Sequence, residues 1–294
     1  MSRPIYCTDY IALLYHDSKL RTKMNNLLKG KKGIIFGALN DKSIAWQVAL
    51  KCHEQGAQFV LTNAPVAMRM GEIKELAAVC NNAQIISCDV SKNEDMENLI
   101  DKSMEILGGK IDFILHSVGM SMNIRKGNEY TNLDYKFMHD TLDISSISFH
   151  RLLATCYKKD AINDWGSVLA LTYIAAQRVF SHYSEMADAK SLLESITRSF
   201  GYHYGKSRKV RVNTISQSPT MTTAGSGVKG FGNFFDYASA LSPLGNANAE
   251  QCADYCVLMF SDLSRMVTMQ NLFHDGGFSF TGFSQEVLEL GKEE

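Results

Sequence analysis

Tyr183 and Lys190 stand seven positions apart in the stretch Tyr173-Ile-Ala-Ala-Gln-Arg-Val-Phe-Ser-His-Tyr183-Ser-Glu-Met-Ala-Asp-Ala-Lys190. Seven residues are about two helical turns, so on one helix both side chains project from a common face, roughly 10 Å apart along the axis. A phenol can donate a proton or a hydrogen bond, while an ammonium favours an anionic neighbour and grips hydroxyls. Tyr173, ten residues upstream of Tyr183, follows the apolar run Val168–Leu171, which reads as a buried strand ending at the site. Taken alone, the segment equally suits a half-buried helix whose tyrosines pack and whose lysine runs along the surface.

A nucleotide site earlier in the chain favours chemistry. Gly33-Ile-Ile-Phe-Gly37-Ala38-Leu39-Asn40-Asp41-Lys42-Ser43-Ile44-Ala45 runs from a short apolar strand through a turn into a helix. Gly37 permits a tight turn and close approach to a pyrophosphate, and Ser43 lies at the helix start, where free N–H groups favour an anion. The Gly-x-Gly-x-x-Gly fingerprint is absent, so this motif is weak by itself. A second apolar strand, Ile111–His116, ends in Ser117-Val118-Gly119. In an open parallel sheet, ligands bind beyond the carboxyl ends of the strands. Strands ending at Gly37, Gly119 and Tyr173 would converge on one crevice.

These motifs need a scaffold. At 294 residues the chain suffices for one large α/β domain, with hydrophobic residues at 45% and charged ones at 21%, as in ordinary globular proteins. A formal net charge of −1 argues against a general nucleic-acid or membrane-surface binder, and no apolar run approaches the ~20 residues of a bilayer span. Seven cysteines lie scattered without metal-ligand spacing and read as reduced, mostly core thiols of a cytoplasmic protein. Residues 1–29 read as an N-terminal appendage, with 1–23 disordered or loosely packed; the alternative is an amphipathic arm packing on a neighbouring subunit. Residues 30–294 then form one dinucleotide-binding domain.

From Gly33 onward, strand and helix signals alternate. Strands are expected at Gln58–Thr62, Gln84–Cys88, Ile111–His116, Ser167–Leu171, Val210–Ile215 and Met266–Phe273, after the first near Gly33. Helices are expected at Ser43–Glu54, Met70–Cys80, around Met96–Met104, at Asp134–Tyr157 and from the Tyr183 region to Tyr204. The pattern implies an α/β fold with a single doubly wound parallel sheet, Rossmann-like, of about seven strands. Ser218–Pro243 breaks the regularity: Pro219, Gly225, Gly227, Gly230 and Gly232 punctuate it, and Phe231, Phe234 and Phe235 add apolar surface. Such an insert after the sixth strand suits a mobile substrate lid, or else a permanently packed helical hairpin. Lys206, Arg208, Lys209 and Arg211 read as a solvated helix end.

Together these residues resemble the short-chain dehydrogenase/reductase superfamily, and within it the bacterial enoyl-acyl carrier protein reductases of the divergent type. The usual superfamily pattern pairs Tyr with Lys four residues later and places Ser thirteen residues before the Tyr; here those positions are Ala187 and Ala170. The divergent Tyr-x6-Lys pattern with a further Tyr upstream fits Tyr173, Tyr183 and Lys190. Asp89-Val90, Asp143-Ile-Ser-Ser146, Pro219…Thr222, Ser226-Gly-Val-Lys229 and His274-Asp-Gly-Gly-Phe278 also match, and the likeness spans roughly Leu28–Phe280.

The resemblance implies that Gly37, Ala38, Ser43, Ile44, Asp89, Val90, Ser117, Val118, Gly119, Lys190, Thr220 and Thr222 line a dinucleotide. It implies Ser121, Tyr173, Met186, Val228 and Phe231 around the acyl group, and Tyr183, Lys190 and Tyr173 as the catalytic set. The second strand ends Thr62-Asn63-Ala64-Pro65, with no acid for a ribose 2′-hydroxyl, while Arg69 offers a cation for a 2′-phosphate; NADH is favoured over NADPH. The implied reaction is hydride transfer to the β-carbon of a trans-2-enoyl thioester in fatty-acid elongation, with acyl carrier protein as partner, Lys229 near its docking point, and a homotetrameric assembly. Two alternatives stand beside it: a carbonyl-reducing member of the superfamily, and a non-catalytic dinucleotide-binding protein.

Overall fold

In a computed structural model the chain is described over residues 26–69, 72–222 and 231–289; the side chain of Phe231 lies outside that description. Seven strands form one sheet: β1 (Lys32–Phe36), β2 (Gln58–Asn63), β3 (Ile85–Ser87), β4 (Ile111–His116), β5 (Ile162–Thr172), β6 (Arg211–Gln217) and β7 (Asn271–His274). Every pair is parallel, in the order β3-β2-β1-β4-β5-β6-β7. The principal helices are α1 (Ile44–Glu54), α2 (Pro65–Met68), α3 (Glu72–Val79), α4 (Asn93–Leu107), α5 (Met122–Lys126), α6 (Tyr135–Leu142), α7 (Ser148–Lys158), α8 (Met186–Arg208), α9 (Phe231–Leu241), α10 (Ala249–Phe260) and α11 (Gln285–Glu289).

The strands are apolar on both faces because helices cover both faces. Ile35, Leu61, Leu115, Leu169 and Ile215 point to one side, where Val48, Ala49, Cys252 and Val257 from α1 and α10 meet them. Ile34, Val60, Ile114, Val168 and Val212 point to the other, against Met96, Leu99, Leu152 and Leu193 from α4, α7 and α8. The period-two alternation of adjacent residues such as Ile34 and Ile35 thus divides the core into two layers. The order of strands reverses between β1 and β4, and a crevice at the carboxyl edge of that junction is the expected ligand position.

Several boundaries differ from the sequence reading. Leu28 is fully buried and its amide donates to Gln55 O at 3.1 Å, so residues 26–29 belong to the packed body rather than to the appendage. Residues 1–25 lie outside the described residues. The expected helix at Met70–Cys80 is α2 followed by α3, because Pro65 starts a separate short turn. The long helix over Asp134–Tyr157 is α6 and α7 joined through a π-helical turn, Asp143–Ile147. Strand β7 is shorter than Met266–Phe273, since Met266 and Met269 adopt positive φ angles of 74° and 62°. Arg211 is not part of a solvated cluster. It is buried in β6, where its guanidinium donates to Met259 O at 2.8 Å and Ser261 O at 3.2 Å.

Candidate active site

β1 and β4 end side by side, Phe36 level with His116, and the chain turns sharply at Gly37. Gly37 has φ +91°, and a Cβ there would sit 1.9 Å from the Ser117 carbonyl oxygen, so only glycine fits. Ala38 is fully buried. Asn63, at the end of β2, braces this turn by donating from Nδ2 to Ala38 O at 2.9 Å. Ser43 behaves differently from a simple cap. Its hydroxyl makes no capping bond to α1 and instead accepts from the amides of Leu39 and Asn40 at 3.0 Å each, while donating to Asn40 O. The loop is thereby closed on itself, and the first amides of α1, including Ile44, are left for an anion.

Asp89 and Val90 follow β3. The Asp89 carboxylate accepts from the amide and hydroxyl of Ser91 at 3.1 and 2.6 Å, and these bonds hold its carboxyl below the ordinary range. Val90 O accepts from Arg151 Nη1 at 2.6 Å, and the same guanidinium reaches Asp143 at 2.9 Å, tying this loop to the π-helical turn. Ser117, Val118 and Gly119 leave β4 beside Lys190: a Cβ on Gly119 would lie 3.9 Å from Lys190 Nζ, Met186 Cε and Ser145 Oγ alike. Thr220 and Thr222 follow β6, with Thr220 Oγ1 donating to Ser218 O at 2.9 Å.

Tyr183 does not share a helix with Lys190. α8 begins at Met186, and Ser184 at φ +48° interrupts the helical path after Tyr183. Tyr183 instead sits in the turn before α8, its amide donating to Phe180 O at 3.0 Å. Lys190 lies in the second turn of α8, and its ammonium reaches back to the end of β5. The Lys190 ammonium is buried and donates to Leu171 O at 2.8 Å, next to the end of β5. Burial pushes its pKa down to about 8, although Glu194 one turn on favours the charge.

Tyr173 is the first residue after β5, and its ring lies 5.2 Å from that of Tyr183 between centroids. Its hydroxyl is buried and has no hydrogen-bond partner among the described residues. Burial raises both phenol pKa values well above the ordinary range, so both phenols stay protonated at neutral pH. Phe180, Phe234 and Phe278 complete an aromatic cluster, with Phe234 5.2 Å from Phe180 and 6.3 Å from Tyr173. Phe234, from α9, thus packs on Phe180 and Tyr173. Val228, Lys229 and the rest of Ser226–Lys229 lie outside the described residues, as does the side chain of Phe231.

The sequence reading missed three buried polar groups at the site. His116 Nε2 donates to Ser148 Oγ at 2.9 Å, since that hydroxyl is itself engaged as a donor to Ile144 O. Burial and the Lys190 charge push the imidazole pKa down to about 3, keeping it neutral. Glu194 accepts from Thr172, Asn271 and Gln177, joining α8 to β5 and β7. Glu185 is fully buried between Tyr183 and α8. Glu194 stands one turn after Lys190, a spacing that could have flagged it.

An enoyl-(acyl carrier protein) reductase family model matches residues 37–279, from the Gly37 turn through β7. This chain belongs to the enoyl-acyl carrier protein reductase family. A curated relative, enoyl-[acyl-carrier-protein] reductase [NADH] 2 of Rhizobium meliloti, is 33% identical over 90% of this chain and 97% of its own length. The FabI–NADH complex from Alistipes finegoldii is 61% identical, with a TM-score of 0.88 covering 89% of this chain and 92% of that one. The Bacillus cereus enoyl-acyl carrier protein reductase with NADP+ and indole naphthyridinone is 27% identical, with a TM-score of 0.82 over 88% of this chain and 100% of that one. As a member of this family the chain is an oxidoreductase with a Rossmann-like fold. Among the described residues no helix is long and apolar enough to cross a membrane.

Proposed function

We propose that this protein reduces trans-2-enoyl thioesters carried by acyl carrier protein, using NADH, in fatty-acid elongation. One observation carries the reading beyond family membership: the rings of two protonated phenols lie 5.2 Å apart between centroids just past the end of β5, and one of them, Tyr173, has a buried hydroxyl with no partner among the described residues. A thioester oxygen that becomes an enolate is an acceptor for such a hydroxyl.

The cradle suits a dinucleotide. The glycine turn at Gly37, the uncapped start of α1 and the exposed Gly119 would hold the pyrophosphate and nicotinamide ends, with Asp89 and Val90 toward the adenine. When bound, the reduced cofactor supplies the hydride. Lys190 has three N–H donors when charged and spends one on Leu171 O, leaving two for the adjacent hydroxyls of a ribose. Thr220 and Thr222 would contact the same half of the cofactor.

Reduction at the β-carbon moves an electron pair onto the thioester oxygen before the α-carbon is protonated. Tyr183 donates a hydrogen bond to that oxygen, with Tyr173 contributing as a second donor and as a pocket wall. A pre-aligned donor in a water-poor site is strongest where charge develops in the transition state. Phe180, Phe234, Phe278 and Met186 provide the apolar surroundings that exclude water. Ser121 is assigned to the acyl side on the family resemblance alone.

Ala170 and Ala187 speak against carbonyl reduction, because neither supplies the hydroxyl or ammonium of that chemistry. NADH over NADPH is supported by the cofactor named for the Rhizobium and Alistipes relatives. The protein assembles as a cytoplasmic homotetramer in this reading; exposed Leu263 and Met266 before β7, and Phe280 and Phe283 after it, are apolar surface suited to subunit contact.

The deciding experiment follows NADH and NADPH consumption separately with a crotonyl thioester and with a simple ketone. Turnover of the thioester with NADH is expected. Reduction of the ketone alone would assign the protein to carbonyl chemistry, and cofactor binding without turnover of either would make it a binding protein.

A further inference from the structure

Glu185 has no role in the chemistry just described, yet it is fully buried directly after the turn that presents Tyr183. Its Oε1 accepts from Ser121 Oγ at 2.8 Å and from Asn123 Nδ2 at 3.2 Å, and it shares the single Thr141 Oγ1 proton with Phe137 O, at 2.8 Å each. Those donors come from three places: Ser121 is the N-cap of α5, where it also accepts from Ile124 N at 3.0 Å; Asn123 lies within α5; Thr141 stands near the end of α6. Glu185 therefore fastens the start of α8 to the whole wall formed by α5 and α6. Its second oxygen, Oε2, is buried and has no partner among the described residues.

Burying a carboxylate is costly unless hydrogen bonds compensate. Here burial works against the charge, but the hydroxyls of Thr141 and Ser121 outweigh it and hold the carboxyl below its ordinary range. The compensation comes from hydrogen bonds, not from an ion pair. Such an arrangement fixes direction, because three donors converge on one oxygen.

Tyr183 needs that direction from somewhere. It stands outside α8, and the residue between it and Glu185 is Ser184 in a left-handed conformation, with φ +48°. A non-glycine residue in that region is held by its surroundings. The helix ladder does not reach Tyr183, so the Glu185 anchor is the nearest rigid point on its carboxyl-terminal side.

We propose that Glu185 is a positioning residue for Tyr183: its hydrogen-bonded carboxylate clamps the left-handed turn, so that the phenol points at the oxygen it must stabilise. This rests on the enoyl-reductase reading of Tyr183. The test compares Glu185→Ala, Glu185→Gln, Thr141→Val and Tyr183→Phe, and combines Glu185→Ala with Tyr183→Phe. A displaced reacting group can cost about 10²-fold, so kcat for an enoyl thioester should fall about 10- to 100-fold in Glu185→Ala, with the NADH dissociation constant unchanged. Glu185→Gln keeps the acceptor oxygen and should recover most of that loss, whereas Thr141→Val, which removes one donor, should lie between. In the Tyr183→Phe background, Glu185→Ala should cost little more, because its effect passes through the phenol. Independent, multiplicative losses would overturn the proposal, as would a folded Glu185→Ala enzyme with the wild-type kcat. If Glu185→Ala does not fold, the comparison rests on Glu185→Gln and Thr141→Val, and a wild-type kcat in Thr141→Val would overturn it. A wild-type kcat in Tyr183→Phe would instead sink the role of Tyr183 itself, which separates the two failures.

Discussion

The rings of Tyr173 and Tyr183 lie 5.2 Å apart and tilted by 51°, although one residue directly follows β5 and the other belongs to the turn before α8. The pair is thus set by two independent elements, strand and turn, and not by helical spacing. The energetic weight of each phenol can be measured.

Tyr183→Phe should lower kcat for the enoyl thioester by about 10²–10³-fold, the usual cost of losing one transition-state donor, with cofactor affinity nearly unchanged. Adding Tyr173→Phe should deepen the loss, because the Tyr173 hydroxyl is buried beside it and has no competing partner among the described residues. Steady-state kinetics on the two single variants and the double variant settle the division of labour. Wild-type rates in all three would remove both phenols from the mechanism.

Lys190→Ala should weaken dinucleotide binding as well as turnover. The wild-type protein should also bind NADH less tightly as pH rises through about 8, where the buried ammonium loses its proton. The sign follows from linkage: a ligand that prefers the charged lysine loses affinity once the free protein releases that proton. Between pH 8 and the ordinary lysine range the folded chain holds fewer protons than the unfolded chain, so the ligand-free protein should gain stability there. Calorimetric titration at several pH values checks the first point and thermal melting the second. A flat NADH affinity across this range, in wild type and variant alike, would detach Lys190 from the ribose.

Gly37→Ala should destabilise the fold by more than about 2 kcal/mol, since it combines a positive φ with a methyl group driven into the Ser117 carbonyl. Chemical denaturation measures the loss. A neutral result would mean that the ends of β1 and β4 can separate freely.

Much of the scaffold was legible because its strands are apolar on both faces; β1, β2, β4 and β6 follow directly from runs such as Gly33-Ile-Ile-Phe and Ile111–His116. Other features depended on tertiary partners. The left-handed Ser184 is unreadable in Tyr-Ser-Glu, since serine carries no strong preference for that conformation, so the sequence alone extends the helix of Lys190 back to Tyr183. Arg211 looked like one more surface cation, because only the fold brings the carbonyls of Met259, Ser261 and Ser264 around it. Glu185 was invisible for the same reason: its three donors come from 44 to 64 positions upstream.

α9 should already be protected from hydrogen exchange in the ligand-free protein, since Phe234 packs against Phe180 and Tyr173 and Ala238 is fully buried. Phe234→Ala should raise KM for long enoyl thioesters more than for the NADH cofactor, because it opens the wall on the acyl side. Protection of α9 that appears only with cofactor and an acyl ligand would restore a gate that includes this helix.

Asn63 links cofactor choice to the integrity of the turn. Its amide nitrogen supports the Ala38 carbonyl at 2.9 Å, while its oxygen accepts from Ala64 N at 2.8 Å. An aspartate here would offer a carboxylate to a ribose, as many NAD-binding folds do at the end of the second strand. The same exchange would set a carboxylate oxygen against a carbonyl oxygen and undo the brace behind Gly37. One side chain thus cannot serve both as a carboxylate ligand of a ribose and as the amide strut of this loop.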